Sequence, residues 1–267
     1  MNRREKRRQL ARSNGFSTDD TKKMLCQESS FSVKEAYNSI RTNLLFLQQA
    51  EKCPIFVITS ATANNGKTIN SINLAISFAQ MGKKTLLIDS DMRNPTVHRM
   101  FSISVKNGLS EILAGITDNI SVSKTDIENL SVLTAGKIPP NPTELLSSSR
   151  MDKLLNFVKE HYDCVFIDTP PVNIVTDATV FAGKTTGYVL IVKTDTTNTN
   201  DVKMALNNIR QINGNVLGFV LNDVNSEKKK YYSYYKRYNY NYNYNYNYNY
   251  YNKYSKYYKN YNYKRDK

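Results

Sequence analysis

Six short apolar runs, at residues 55–59, 85–88, 130–133, 164–167, 188–192 and 216–221, set the strongest limit on how this 267-residue chain folds. Each is too short for a helix and too continuous for a strand with one wet face. Most are separated by stretches of helical periodicity, at 68–81 closing on Gly82, at 144–161 and at 201–212. Strands buried on both faces and alternating with helices imply a doubly wound, mostly parallel sheet covered on both sides. The spacing predicts one such α/β domain over 29–227. It opens with a helix over 32–50, where Ser32 to Glu35 fits a capping box and Ala36, Tyr37, Ile40, Leu44, Leu45 and Leu47 follow at helical spacing.

Charge separates this body from its ends. The chain carries a net +14, of which residues 1–25 hold +5 and residues 228–267 hold +10, leaving 26–227 near −1. A near-neutral body with basic ends does not imply a basic nucleic-acid-binding face across the domain, and no nucleic acid is expected as partner. Residues 1–28 read as a basic, solvated leader, with no apolar stretch of signal-peptide type behind the arginines. No apolar run reaches the roughly 18–20 residues of a membrane helix, so a cytoplasmic protein is expected. Three widely spaced cysteines without a CxxC, and two histidines 63 positions apart, argue against a disulfide framework or a zinc site.

A doubly wound sheet binds ligands past the carboxyl ends of its strands. The first run is followed there by Ser60-Ala-Thr-Ala-Asn-Asn-Gly66-Lys67-Thr68 and then a helix. In a P-loop, backbone N–H groups and the helix N-terminus cradle the phosphates, the lysine meets the β and γ oxygens, and the hydroxyl ligates Mg²⁺. The first glycine of that pattern is Ala61 here, and Asn64 and Asn65 stand where glycine is easiest. After glycine, asparagine is among the residues that best tolerate a left-handed backbone, so the loop is expected to form. The second run ends in Asp89-Ser-Asp91-Met-Arg93-Asn-Pro95, and the fourth in Asp168-Thr-Pro-Pro171. Three carboxylates converging on one Gly-Lys-Thr loop are costly without a cation, and point to a Mg²⁺-nucleotide site.

Together these elements resemble the bacterial tyrosine kinases, P-loop enzymes that accompany capsule and exopolysaccharide export. The resemblance spans about residues 31–263 and rests on Walker A (60–68), Walker A′ (87–95) and Walker B (165–171) elements. It is strengthened by Glu35-Ala-Tyr-Asn38-Ser-Ile-Arg41-Thr-Asn, by Gly136-Lys-Ile-Pro-Pro-Asn-Pro-Thr-Glu-Leu-Leu146 and by a C-terminal tyrosine cluster. The resemblance implies ATP and Mg²⁺ as cofactors. ATP would be bound by Ala63, Asn64, Asn65, Gly66, Lys67, Thr68 and Ile69, with Asn222 reading adenine. Mg²⁺ would be held by Thr68, Asp89 and Asp168. Lys67, Asp89, Asp91 and Asp168 would be catalytic, Asp91 orienting or deprotonating the attacking tyrosine hydroxyl. Glu35, Asn38 and Arg41 match the family's Glu-x-x-Arg-x-x-Arg subunit-ring motif, with Asn38 at the first arginine; the Walker loop likewise carries Ala63, Asn64 and Asn65 in place of Pro-Gly-Glu.

Seventeen of the 20 tyrosines lie between 231 and 263, with strict Asn-Tyr alternation over 239–250. They are Tyr231, Tyr232, Tyr234, Tyr235, Tyr238, Tyr240, Tyr242, Tyr244, Tyr246, Tyr248, Tyr250, Tyr251, Tyr254, Tyr257, Tyr258, Tyr261 and Tyr263. A segment without aliphatic residues builds no core, so 228–267 is expected to be a disordered autophosphorylation tail. Each phosphotyrosine adds roughly −1.5 to −2, so about five to seven would cancel the tail's charge. The other readings of such a tail are a low-complexity adhesive segment and an aromatic strip stacking on single-stranded nucleic acid.

The resemblance further implies a ring-like, reversible homo-oligomer with transfer in trans. It also implies a transmembrane adaptor that recruits the kinase to the inner face of the membrane, and a phosphotyrosine phosphatase. Two other functions fit the same Walker elements: a partitioning or positioning ATPase of the ParA and MinD branch, and a weakly catalytic nucleotide-binding scaffold. The former carries a signature lysine early in its loop, and residues 60–65 contain none.

Overall fold

The computed structural model describes residues 21–47, 51–105 and 107–224. The tail over 228–267 with its 17 tyrosines, most of the leader, and the last positions of the helix expected over 32–50 lie outside the described residues. In chain order the elements are α1 (Phe31–Leu47), β1 (Ile55–Ser60), α2 (Lys67–Gln80), β2 (Thr85–Asp89), α3 (Val97–Met100), α4 (Leu109–Leu113), β3 (Ser123–Lys124) and β4 (Leu130–Leu133). They continue with α5 (Pro142–Ser147), α6 (Ser149–His161), β5 (Cys164–Asp168), a 3₁₀ turn (Thr176–Phe181), β6 (Gly187–Lys193), α7 (Thr199–Gln211) and β7 (Val216–Asn222).

The seven strands form one sheet in the order β3-β4-β2-β5-β1-β6-β7, parallel throughout except for the short edge strand β3. Each central strand is apolar on both faces because each face has its own core. Ile55 and Val57 of β1, Leu86 and Ile88 of β2 and Val165 and Ile167 of β5 point into one, beneath α4, α6 and α7. Phe56, Ile58, Leu87 and Phe166 point into the other, beneath α1 and α2. In the second core Phe56, Phe78 and Phe166 form a ring triangle with centroids 5.2–6.0 Å apart, which seats α2 over β1 and β5. Burying each such ring contributes on the order of 1.5–3 kcal/mol, so the last turn of α2 is fixed over the two strands.

Several boundaries differ from the sequence reading for local physical reasons. Ser32 lies inside α1; the cap is Ser30, whose hydroxyl accepts from the Val33 amide at 3.4 Å, with Lys34 N donating to Ser30 O at 3.1 Å. The single helix expected over 144–161 is two, because Ser148 takes an extended backbone (ψ 156°) between α5 and α6. Within the stretch read as solvated leader, Met24 and Leu25 are buried in the second core. Their backbone is pinned by Asn73 of α2, which accepts from Leu25 N at 2.7 Å and donates to Lys23 O at 3.0 Å.

Candidate functional site

β1 ends at Ser60 and the chain turns into α2 through six residues. Asn64 takes the left-handed backbone at φ 61° and Gly66 takes it at φ 84°, while Asn65 does not. Asparagine therefore replaces glycine at one of the two positions where the sequence raised the question. Gly66 has no such substitute: a Cβ there would lie 2.3 Å from Asn222 Nδ2. Asn222, at the end of β7, donates to Asn65 O at 3.0 Å and so closes one side of the loop. Asn70, one turn into α2, donates to Gly66 O at 2.9 Å from the other.

The carboxylates meet this loop through strand register. Asp89 and Asp168 are direct neighbours across the β2–β5 ladder, and Asp168 also faces Ile58 of β1. Both are fully buried. Asp89 Oδ2 accepts from the backbone N–H groups of Thr96 and Val97 at 3.2 and 3.1 Å, while Asp168 Oδ1 accepts from Ser71 Oγ at 3.0 Å. Asp89 Oδ1, Asp168 Oδ2 and Ser90 Oγ have no hydrogen-bond partner. Burial, reinforced by the Asp168 charge, pushes Asp89 well above the usual carboxylate range. Burial likewise raises Asp168, against the pull of Lys67 and the Thr68 and Ser71 hydroxyls.

Lys67, first residue of α2, places Nζ 2.8 Å from Asp91 Oδ2. Burial alone would depress its pKa, but Asp168, Asp91 and Asp89 outweigh it, so Lys67 is raised and stays charged. Asp91 Oδ1 also accepts from Asn94 N at 3.0 Å, which curls the chain after β2 back toward the loop. The result is a cleft of about 520 Å³ lined by Ala63, Asn64, Gly66, Lys67, Thr68, Ile69, Asp91 and Arg93, with Pro170 and Pro171 on the far wall.

Of the residues anticipated from sequence, Lys67, Thr68, Asp89, Asp91 and Asp168 converge here, and Asn222 braces the phosphate loop from β7. Glu35, Asn38 and Arg41 lie together on α1, away from the cleft. Asn38 donates to Glu35 Oε1 at 2.9 Å, and Arg41 donates to Ser77 O at 2.6 Å and to Ser77 Oγ at 3.0 Å, which turns its guanidinium onto α2. Sequence reasoning missed Ser71, Lys23, Thr143 and Asp177. Ser71 was findable, being one turn beyond Thr68 on the same helix face. Lys23 reaches the cleft wall only because Met24 and Leu25 dock on α2.

The arrangement fits a magnesium nucleotide. Two buried carboxylate oxygens without donors call for a cation, and a left-handed loop at a helix N-terminus calls for phosphate. Among the described residues no group of three or more His, Cys, Asp or Glu is placed to hold a metal. Mg²⁺ keeps several waters and takes the rest of its ligands from one or two carboxylates and substrate phosphates, and the free oxygens of Asp89 and Asp168 are two such carboxylates.

Sheet order, loop and strand-end carboxylates define a P-loop nucleotide-binding protein, and a family model described as an AAA domain matches residues 55–219. The nearer relatives narrow the class. CapB of Staphylococcus aureus is 41% identical over 204 residues, which are 76% of this chain and 90% of CapB. The tyrosine-protein kinase CpsD of Streptococcus pneumoniae serotype 4 is 37% identical over 201 residues, 74% of this chain and 88% of CpsD. The crystal structure of the chimerical protein CapA2B2 superposes with a TM-score of 0.69 at 40% identity, covering 74% of this chain and 86% of that one. The chain belongs to the bacterial tyrosine-protein kinase family.

Proposed function

We propose that this chain transfers the γ-phosphoryl group of Mg²⁺-ATP to tyrosine hydroxyls in residues 231–263 of a neighbouring copy, and that it thereby regulates synthesis and export of a surface polysaccharide. The observation that carries this reading is the pair of buried, donor-less oxygens of Asp89 and Asp168 beside the Gly66-Lys67-Thr68 loop, in a chain of this family. Mg²⁺ held there by Thr68, Asp89 and Asp168 would neutralise charge on the β and γ phosphates.

The protein's own groups do the remaining work. Lys67 supplies a cation for the β and γ oxygens. Once phosphate competes for Lys67, Asp91 is released to orient the acceptor phenol. The phenol oxygen then bonds to Pγ, the bridging oxygen departs with ADP, and the phenolic proton passes to Asp91 or to water. A phenol with a pKa near 10 is a poor match for a carboxylate base, so positioning and charge neutralisation carry most of the acceleration. Ser60, Ala61 and Thr62 are buried or half-buried and supply no lysine to the loop, which favours tyrosine over water as acceptor against the ParA and MinD reading.

The basic tail gains negative charge with each transfer, and its accumulation loosens the assembly. No helix among the described residues is long and apolar enough to cross a membrane. Recruitment by a separate transmembrane adaptor and reversal by a phosphatase are what the family resemblance implies. Mixing full-length Lys67→Met protein with active protein truncated at 227 tests transfer in trans. Phosphotyrosine is expected on the full-length partner; none there, while wild type labels itself, refutes it. Labelled ATP with Mg²⁺ separates the remaining readings, since free phosphate without protein label indicates an ATPase and retention of ATP without turnover a scaffold.

A further inference from the structure

Arg93 stands two residues beyond Asp91, and its guanidinium is held from behind. Nε donates to Asp177 Oδ2 at 2.8 Å and Nη2 to Asp177 Oδ1 at 3.0 Å. Nη2 also reaches Thr143 Oγ1 at 3.2 Å, and the Thr143 hydroxyl donates to the same Asp177 oxygen. Asp177 is fully buried on the 3₁₀ turn and Thr143 sits in the first turn of α5, so the anchor is rigid. This paired geometry occupies the Nε–Nη2 edge of the fork. Among the described residues, the Nη1 edge has no hydrogen-bond acceptor, the side chain is 43% exposed, and Arg93 lines the same cleft as Lys67 and Asp91.

Asp91 already has Lys67 as its ion partner, so Arg93 is not needed to neutralise it. The buried Asp177 instead fixes a permanent cation on the cleft wall next to the residue that handles the acceptor, at the cost of a buried carboxylate. Charge fixed in place before the reaction stabilises developing negative charge without reorganisation.

We propose that the Nη1 edge of Arg93 binds a non-bridging oxygen of the phosphoryl group as it passes from ADP to the tyrosine, and that Asp177 and Thr143 are positioning residues acting through Arg93. This rests on the kinase reading. No proton is exchanged, because the guanidinium remains charged throughout. The interaction strengthens as the phosphoryl group moves to the acceptor, so its loss falls on kcat rather than on the KM for ATP.

The test is tyrosine labelling of the full-length protein with Mg²⁺-ATP, following Arg93→Ala, Arg93→Lys and the double variant Arg93→Ala/Asp177→Asn, with thermal midpoints for each. Arg93→Ala is expected to lose at least about 100-fold in kcat, with the KM for ATP within about threefold of wild type. Millimolar guanidinium is expected to restore roughly tenfold in Arg93→Ala and nothing in the double variant, where the seat for the ion is gone. A merely bracing arginine would lower the thermal midpoint and would not respond to guanidinium. Retention of more than about a third of wild-type kcat by Arg93→Ala, a loss confined to KM, or no restoration in a folded variant would each overturn the proposal. If Arg93→Ala does not fold, Arg93→Lys decides: a charged but unforked side chain with undiminished kcat also overturns it. Failure of wild type to label tyrosine sinks the kinase reading itself and is visible in the same assay.

Discussion

Glu111 is nearly as buried as Asp89 and Asp168, but the protein surrounds it differently. Its Oε2 accepts from Gly108 N at 2.8 Å and from Ser110 Oγ at 3.1 Å, and its Oε1 accepts from Lys137 N at 3.1 Å. Burial alone would raise the Glu111 pKa, yet these bonds outweigh it and hold the group below its ordinary value. A Cβ on Gly136 would lie 2.2 Å from Glu111 Oε2, so the carboxylate and the 136–146 segment are fitted to one another. At the cleft, each aspartate keeps one oxygen without a donor and both pKa values are raised. A buried carboxylate with every oxygen satisfied joins backbone segments; one left short of partners is waiting for something the chain does not supply.

Exchanging the charge at each place separates the two cases. Asp168→Asn keeps the shape and removes the charge that would hold a cation. Tyrosine labelling is expected to fall by about 10³-fold or more, in line with losing a metal-phosphate clamp. Without ligands the same variant should unfold a few degrees higher than wild type, because a buried like-charge neighbour of Asp89 is gone. Lower stability and lower activity together would mean that Asp168 is a structural residue like Glu111. Glu111→Gln should behave in the opposite way. It sets an amide N–H₂ against a backbone donor, costs roughly 1–3 kcal/mol, and lowers the thermal midpoint by several degrees while leaving most of the labelling rate intact.

The same contrast explains what was legible beforehand. Continuous apolar runs with two covered faces made β1, β2, β4, β5 and β6 readable; β7 was read from the same pattern, yet it is an edge strand on which Phe219 and Leu221 are exposed. Strand ends that close in Asp are conspicuous in any such pattern. Lys67, Thr68, Asp89 and Asp168 followed from that logic. The two-residue β3 and the four- and five-residue helices α3 and α4 are too short to establish a period. Asp177 lies on a 3₁₀ turn more than 80 residues from Arg93, and nothing local to either announces the pair. Met24 and Leu25 are two apolar residues in a basic stretch, and nothing local announces that they pack into the second core, where the carboxamide of Asn73 holds the Leu25 N–H and the Lys23 carbonyl.

Acid titration sharpens the comparison further. Because Asp89 and Asp168 are raised above the ordinary 3.8, the folded state holds their protons more tightly than the unfolded state does. Their ionisation therefore subtracts stability as pH rises from about 4 toward neutrality. Glu111, lowered from 4.5, has the reverse sign: its contribution is present above that value and is lost as pH falls through its folded value. The gap in thermal midpoint between Asp168→Asn and wild type should thus be near zero at pH 3 and widen toward pH 7. The deficit of Glu111→Gln should be largest near neutrality and shrink in acid. A gap for Asp168→Asn that is constant with pH would show that the aspartate pair is not strained by charge.

The smallest expected effect belongs to Asn222. Its amide donates to Asn65 O at 3.0 Å and sits where a Cβ on Gly66 would be, so it props the phosphate loop from outside the charged cluster. Asn222→Ala removes one hydrogen bond worth about 1 kcal/mol, which corresponds to a roughly fivefold rise in the KM for ATP with kcat little changed. GTP provides the control, because a loop prop acts on any nucleoside triphosphate whereas an adenine reader does not. Equal weakening of both nucleotides would leave Asn222 as support for the loop; weakening of ATP alone would make it the base-reading residue that its place at the end of β7 suggested.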